Sequence, residues 1–290
     1  MANVYQMVTD RIIEQMKQGI IPWRQPWVGG SAMAISYTSR KAYSLLNQIM
    51  LGKPGEWLTW NQIHDLKGTV KKGAKSRFVV FYSWADSKDE NGNPIPDPNS
   101  PDGVKQHPIL RWYKVFHLDD TEGIESKLKP VEPKEDIRPI DRAEEIINGY
   151  LNREPGLKFF NDKPSDRAYY SPSLDEVVVP MLSQYEIPGE YYSTTFHELT
   201  HSTMPAGRCD RKADNKTAAF GDKDYSREEL VAEIGSAMLC NSAGLDNERA
   251  FKNSVAYIQS WLKVLKDDPK MIVWASGKAE KAAKYILNVV

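Results

Sequence analysis

The chain has 290 residues, 41% of them hydrophobic, and its formal net charge at pH 7 is −1. This length suits two domains, and the charge excludes a protein that is basic over its whole surface. Only two cysteines are present, too few for a disulfide framework, which indicates a reduced, cytoplasmic setting. No apolar run has the length of a membrane span, and the N-terminus lacks the features of a secretion signal.

An apolar stripe predicts the first helix, with Val4, Val8, Ile12 and Met16 at i, i+4 spacing. Two shorter helical patterns follow in KAYSLLNQIML and WNQIHDLKG. FVVFYSW and ILRWYKVFHL are rich in Val and aromatic residues, which is typical of paired strands.

Two polar segments divide the chain. The Pro-, Asn- and Asp-rich segment at about 85–108 separates the paired strands and predicts a solvated hairpin extension or a disordered tip. The charged, Pro-rich segment at 126–139 is predicted to be a linker. The predicted organisation is a small mixed α/β domain at 1–125 and a second domain at 140–290.

The second domain opens with the helical pattern AEEIINGYL, for which Asp141 is the predicted N-cap and Glu144 its capping-box partner. Short strands are predicted in LKFF, RAYYS and DEVVV, the last as an edge strand able to pair with an extended peptide. From Tyr191 onward the pattern is helical. Strands followed by helices indicate an α+β fold.

His197, Glu198 and His201 form an H-E-x-x-H motif inside a helical pattern. The i, i+4 spacing places both imidazoles on one helical face, where both can reach one Zn²⁺ or another divalent metal such as Mn²⁺. Glu198 lies where it can act as the general base toward a water activated by the metal. The alternative is a chance pair of surface or core histidines.

A catalytic zinc needs a third protein ligand, and the segment SREELVAE supplies glutamates for it. Glu229 is the predicted ligand, and Glu233 is predicted to accept the free N–H of a ligand histidine. In the main alternative, Glu233 is the ligand and Glu229 accepts the hydrogen bond. A further alternative is that these glutamates only form a solvated acidic start of a helix. Tyr169, Tyr170 and Tyr225 are candidates to stabilise an oxyanion, although packing is the commoner role of such rings.

Positive and aromatic side chains concentrate in the first domain. The predicted DNA-binding residues are Lys67, Lys71, Lys72, Lys75, Arg77, Trp23 and Trp27. A basic groove interleaved with aromatic rings suits single-stranded nucleic acid, because bases stack on the rings. The alternative is that the rings form a core and the lysines lie in a solvated loop.

Several segments resemble a known family. VTDRIIEQMKQGIIPWRQPW, WLTWNQIHDLKG and RWYKVFHLDDTEGI are similar to the N-terminal domain of ArdC-type antirestriction proteins. AYYSPSLDEVVVP, YYSTTFHELTHST and YSREELVAEIGSAML are similar to the zincin-like C-terminal domain of that family. The resemblance implies single-stranded DNA binding, a metallopeptidase fold, and protection of plasmid or phage DNA from host restriction. The insertion at 85–108 looks specific to this chain.

The sequence leaves three functions open. The first is an antirestriction protein that binds single-stranded DNA and cleaves a peptide or protein substrate with zinc on His197, His201 and Glu229. The second is a non-catalytic protector of single-stranded DNA with a structural or vestigial metal site. The third is a partner that contacts a restriction enzyme directly. Glu198 favours the first, since a structural zinc has no use for a base.

Overall fold

The computed structural model describes residues 3–24, 33–98, 103–128, 139–211, 223–245 and 255–289. Trp27 and most of the predicted linker at 126–139 lie outside these ranges. Within the described part of the chain, no helix is both long enough and apolar enough to cross a membrane.

Helices and strands are mixed throughout, which confirms the predicted α+β class. The helices are α1 (Val4–Lys17), α2 (Leu45–Leu51), α3 (Trp60–Asp65), α4 (Pro139–Arg153), α5 (Pro188–Ser202), α6 (Lys223–Ala243), α7 (Val255–Asp267) and α8 (Met271–Leu287). The strands are β1 (Ala34–Ser36), β2 (Gly55–Leu58), β3 (Thr69–Val70), β4 (Arg77–Asp86), β5 (Gln106–His117), β6 (Thr121–Glu122), β7 (Lys158–Phe160), β8 (Tyr169–Ser171) and β9 (Glu176–Val178).

The larger sheet has the order β1-β2-β5-β4, and its long hairpin is the predicted pair β4 and β5. The edge strand β4 is covered at one point by the buried amide of Asn47, which bonds both the N–H and the carbonyl of Val80 at 2.8 and 2.7 Å. Beyond β4, the described part of 85–108 continues as a hairpin extension, in which the Lys105 amide donates to the Ile95 carbonyl at 2.8 Å.

The predicted apolar stripe of α1 is confirmed, with Val8, Ile12 and Met16 fully or almost fully buried. Their side chains belong to one core cluster that also contains residues of α4, α5, α6 and α8. Helix α1 packs on α7, and α2 packs on α8. The predicted division at 126–139 stays a prediction, but the buried core is continuous across it.

The smaller sheet corrects the predicted edge position of the DEVVV segment. Its order is β7-β9-β8, so the DEVVV segment forms the central strand rather than an edge, with Val177 paired to Phe159 on one side and Tyr170 on the other. Strand β8 is the edge that packs against α5.

The start of helix α4 also differs from the prediction. The helix already includes Pro139, so Asp141 lies in its first turn and is not the N-cap. Glu144 instead accepts a hydrogen bond from Tyr192 Oη at 2.9 Å.

Candidate metal centre and nucleic-acid surface

Helices α5 and α6 bring three potential ligands together. His197 Nε2 and His201 Nε2 lie 3.1 Å apart. Glu229 Oε2 lies 3.5 Å from His197 Nε2, and its Oε1 lies 3.4 Å from His201 Nε2. One donor atom from each residue falls within 4.8 Å of the others. The predicted set is therefore assembled around one point.

These separations fit a divalent metal. Donor atoms on neighbouring corners of a tetrahedron with bonds of about 2.0–2.1 Å lie about 3.3–3.4 Å apart. For neighbouring corners of an octahedron with similar bonds the distance is about 3.0 Å. The observed donor–donor distances, 3.1–3.5 Å, suit two imidazole nitrogens and a carboxylate around one ion in either geometry. Within the part of the chain that the structure describes, the cluster contains three potential ligands, one fewer than a closed structural zinc site has.

Close contact between α5 and α6 depends on Gly235. A Cβ atom at this position would lie 2.7 Å from Cγ2 and 2.9 Å from Oγ1 of Thr200, which is far inside normal contact distance. Thr200 belongs to the motif helix, and Gly235 lies less than two turns after Glu229. The absence of a side chain at Gly235 therefore allows the glutamate to reach the histidines.

The carboxylate partner of His201 Nδ1 is Glu228, a contact that the sequence did not predict. The predicted hydrogen bond of Glu233 to a ligand histidine stays a prediction. His201 Nδ1 lies 3.3 Å from Glu228 Oε1, on the side of the ring away from the ligand cluster. Glu228 also accepts two hydrogen bonds from Arg211, at 2.8 and 3.1 Å. Arg211 is 1% exposed and further bonds the Thr200 carbonyl at 2.8 Å. A buried arginine thus holds the carboxylate that fixes the imidazole.

Glu233 has a different partner. Its Oε2 accepts a hydrogen bond from Arg24 Nη2 at 2.9 Å, in an ion pair whose side chains are 17% and 6% exposed. Arg24 follows directly on Trp23 in a short 3₁₀ turn, Pro22–Arg24. The two carboxylates that flank the ligands are thus each neutralised by a buried arginine, and Glu229 faces the histidines.

Electrostatics at the cluster favour a cation. Burial disfavours the charged imidazole of His201, but the carboxylates of Glu228 and Glu229 outweigh burial and raise its pKa to about 10. Burial raises the pKa of a carboxyl group, yet His197 and His201 hold the pKa of Glu229 well below its ordinary range. Metal binding removes the protons from such nitrogens and takes over their charge.

Glu198 lies beside the cluster and is 8% exposed. Its negative charge adds to the rise in the pKa of both His197 and His201, which places it within electrostatic reach of the ligands. Of the three tyrosines considered as oxyanion donors, Tyr170 already donates to Asp175 Oδ1 at 2.9 Å. Tyr169 lies under the Arg167 guanidinium, and the side chain of Tyr225 lies outside the described part.

A third arginine with a largely buried side chain holds the end of the motif helix. Arg208 donates to both carboxylate oxygens of Asp175 at 2.8 and 2.7 Å, to Glu154 at 2.8 Å, and to the Ser202 carbonyl at 2.5 Å. Helix α5 ends at Ser202, while Asp175 precedes β9 and Glu154 follows α4. Arg208 therefore connects the C-terminal end of α5 to the smaller sheet and to α4.

The predicted basic residues fall into two groups. Lys67, Lys71, Lys72 and Lys75 are exposed, and Lys71 Nζ donates to the Asp119 carbonyl at 2.8 Å. Arg77 is half-buried, with its guanidinium 5.7 Å from the ring of Trp57.

Trp23 is corrected as a DNA-binding residue. Its ring is 0% exposed and packs edge-on against Trp261, with ring centroids 6.5 Å apart. A fully buried ring offers no face to a base. Trp27 lies outside the described residues, and its DNA-binding role stays a prediction.

Exposed rings occur instead on the β4–β5 hairpin. Trp84, Tyr82 and Trp112 are 65%, 57% and 39% exposed. Val80 pairs with Trp112, and alternation along β4 places Val80, Tyr82 and Trp84 on one face of the hairpin, together with Trp112. The hairpin therefore carries an aromatic surface on this face.

Two family matches cover most of the chain. Residues 2–116 match the N-terminal domain of anti-restriction factor ArdC, and residues 151–278 match a zincin-like metallopeptidase domain. The second match contains all members of the candidate metal cluster.

The chain is similar to several curated proteins. It is 31% identical over 299 residues to a DNA primase TraC of Escherichia coli, covering 98% of this chain but 20% of that protein. A second TraC from the same species is 31% identical and is covered over 27% of its length. The uncharacterized protein y4eC of Sinorhizobium fredii is 30% identical, with 98% of this chain and 91% of that protein covered. The chain thus spans about a quarter or less of the TraC primases.

Solved structures share the whole fold. The metal-free crystal structure of antirestriction ArdC protein from plasmid R388 superposes with a TM-score of 0.72 at 32% identity and covers 100% of both chains. The Mn(II)-bound structure of the same protein gives a TM-score of 0.72 at 31% identity, over 99% of this chain and 98% of that one.

Proposed function

Since the chain belongs to the ArdC family of antirestriction proteins, we propose that it binds single-stranded DNA of a mobile element and hydrolyses a peptide bond at a zinc centre. The observation that carries the hydrolytic part is the convergence of His197, His201 and Glu229 beside Glu198. The proposed setting is the cytoplasm.

The chemistry follows from the positions of these side chains. A divalent metal on the three ligands would lower the pKa of a water molecule and polarise the scissile carbonyl. Glu198 takes the proton of the attacking water and delivers it to the departing amine. The edge strand β8, which packs against α5, is positioned to pair with an extended substrate backbone.

The size of the cluster supports this proposal over a structural metal site. Structural zinc sites are closed by four protein ligands, whereas catalytic sites retain a position for water or substrate. In the described residues, three side chains form the cluster. The non-catalytic alternative gives no role to a carboxylate at Glu198.

Single-stranded DNA binding is supported by the basic and aromatic surface of the first region. Exposed lysines at 67–75 and the rings of Tyr82, Trp84 and Trp112 supply the two components that such sites combine. In this proposal the bases stack on the rings and the lysines contact phosphates.

The test uses the full chain loaded with Zn²⁺ or Mn²⁺. His197→Ala, His201→Ala and Glu229→Ala are expected to lose the metal, measured by mass spectrometry of the dialysed protein. Glu198→Gln should retain the metal and lose hydrolysis of a peptide library, because an amide cannot accept the proton. Glu145→Gln, on the exposed side of α4, is the matched control. Hydrolysis by Glu198→Gln at the wild-type rate would refute the catalytic proposal.

A further inference from the structure

A cleft of about 610 Å³ lies between α1, the end of α2 and the start of β4. Four cationic side chains line it, Arg11, Lys53, Lys75 and Arg77, against the single acidic side chain of Asp120. The cleft is distinct from the metal centre, none of whose residues contributes to it. Its lining has an excess of positive charge.

Two of these cations already have carboxylate partners. Lys53 Nζ lies 2.7 Å from Asp119 Oδ2, and Arg11 Nη1 lies 3.0 Å from Glu14 Oε2. For Lys75 and Arg77, no carboxylate of the described residues lies within ion-pairing distance. Lys53 and Arg11 are therefore engaged within the protein, whereas Lys75 and Arg77 are available to a ligand.

Arg77 is the more confined of the two available cations. Its guanidinium carbon lies 5.7 Å from the centroid of the Trp57 ring, and that ring is 2% exposed, so a buried aromatic ring borders the charge. Burial lowers the pKa of Arg77, and the nearby charge of Arg11 lowers it further, while Asp120 acts in the opposite direction. An anion that enters the cleft would offset the cost of desolvating this charge and would reduce its repulsion from Arg11.

We propose that this cleft binds a phosphate group of a nucleic-acid strand, with Arg77 as the principal ligand and Lys75 as the second. A planar guanidinium suits bidentate contact with phosphate oxygens, and a flexible lysine adds a point charge. The proposal rests on the proposed function for the identity of the strand. It adds a defined phosphate position beside the aromatic hairpin, since Phe78, which lines the cleft, contacts Trp112 with ring centroids 6.2 Å apart.

The first experiment needs no DNA. Inorganic phosphate is added to the full chain, and binding is measured from the broadening of its ³¹P resonance, which is sensitive to weak association. Arg77→Gln and Lys75→Gln should each reduce the affinity at least about fivefold, as expected for loss of one charge-assisted contact. Lys17→Gln, an exposed lysine of α1 outside the cleft, is the matched control and should bind as the wild type does.

The second experiment identifies the source of the phosphate. Short oligothymidylates with a 5′-phosphate or a 5′-hydroxyl are compared by fluorescence anisotropy. Preference for the 5′-phosphate that disappears in Arg77→Gln assigns the cleft to a strand end, and equal weakening of both ligands assigns it to internal phosphates. Either result supports the cleft.

The outcomes separate the cleft from DNA binding as a whole. Wild-type affinity of Arg77→Gln and Lys75→Gln for phosphate and for both oligonucleotides would overturn the cleft and leave DNA binding intact. Phosphate binding that depends on Arg77, in a chain that does not bind oligonucleotides, would support the cleft and refute the proposed DNA-binding function. Lys75 is exposed, so its variant keeps the test valid if Arg77→Gln does not fold.

Discussion

Arg24 and Glu233 are 209 residues apart in the sequence, yet Nη2 of the arginine donates to Oε2 of the glutamate at 2.9 Å. The glutamate lies one turn beyond Glu229 on α6, and its charge also acts on His197. The arginine belongs to the N-terminal region that matches the ArdC domain. This pair joins the region of proposed DNA binding to the helix that completes the metal centre.

Removal of one partner of this pair should destabilise the protein. Arg24→Met removes the arginine that neutralises a largely buried carboxylate, and Glu233→Gln removes the negative charge beside a buried guanidinium. Each is expected to lower the free energy of unfolding by about 2 kcal/mol, below the usual cost for a fully buried pair because Glu233 retains some solvent contact. Urea denaturation of the full chain measures this. The double variant should lose less than the sum, and strict additivity would contradict direct coupling.

A second prediction concerns the partner of His201. Glu228→Gln should weaken zinc affinity about 10–100-fold, because the hydrogen bond that orients the imidazole loses its charge. Glu233→Gln should have a smaller effect, since its hydrogen bond goes to Arg24. Competition with a chromophoric chelator measures both, with Glu145→Gln as the control. A larger loss of zinc affinity in Glu233→Gln than in Glu228→Gln would support Glu233 as the residue that orients a ligand histidine, as the sequence predicts.

The sequence predicted the three side chains that converge in the cluster, but not the residues that position them. The i, i+4 spacing of His197 and His201 is a local property of one helix, so it predicts a shared face without knowledge of the fold. The choice between Glu228 and Glu233 depends on how α6 is rotated against α5, which no local pattern records. Arg24 and Arg211 meet their carboxylates only after folding.

The same limit explains the corrections in the sheets and the aromatic residues. DEVVV has the composition of a strand, but the number of its neighbours depends on which other strands pair with it. Trp23 and Trp84 have the same side chain, yet one is fully buried and the other is 65% exposed. Composition predicts that rings are abundant, and the fold decides which of them face solvent.

Gly235→Ala should separate α5 from α6. Its Cβ would collide with the β-branched side chain of Thr200, so we expect a loss of about 1–3 kcal/mol in unfolding free energy and weaker zinc binding. Gly277→Ala in α8 is the matched control, because its Cβ meets no atom within 4 Å. That control should be neutral or stabilising by up to about 1 kcal/mol. Equal thermal unfolding curves for the two variants would show that the helices tolerate the added methyl group.

Single-stranded DNA binding should fall steeply with salt, because lysine–phosphate contacts release counterions. Charge reversal at Lys71, Lys72 and Lys75 should weaken binding of an oligonucleotide strongly and reduce the salt slope. Trp112→Ala should cost about 1–3 kcal/mol of binding free energy with little change in that slope, since stacking is uncharged. Charge reversal at Lys88 and Lys105 of the hairpin extension is the control. If it weakens binding as much as reversal of the three lysines does, the strand follows another path.

The last prediction concerns acid stability at Asp175. The hydrogen bonds from Arg208 hold the pKa of this carboxyl below its ordinary value of 3.8, although burial opposes the shift. A carboxyl whose pKa is lower in the folded than in the unfolded chain contributes stability above the unfolded pKa and loses it as the pH falls through the folded one. Asp175→Asn should therefore be less stable than the wild type at neutral pH, and the two urea midpoints should converge below about pH 4.

The measurement is made in the presence of a chelator, so that acid release of a metal does not contribute. Asn is suitable because it tolerates the positive φ of 47° that Asp175 adopts before β9. Asp166→Asn, at an exposed position, serves as the control and should follow the wild type at every pH. If the difference in urea midpoint between Asp175→Asn and the wild type stays constant down to pH values well below 3.8, protonation of Asp175 does not account for the loss of stability in acid.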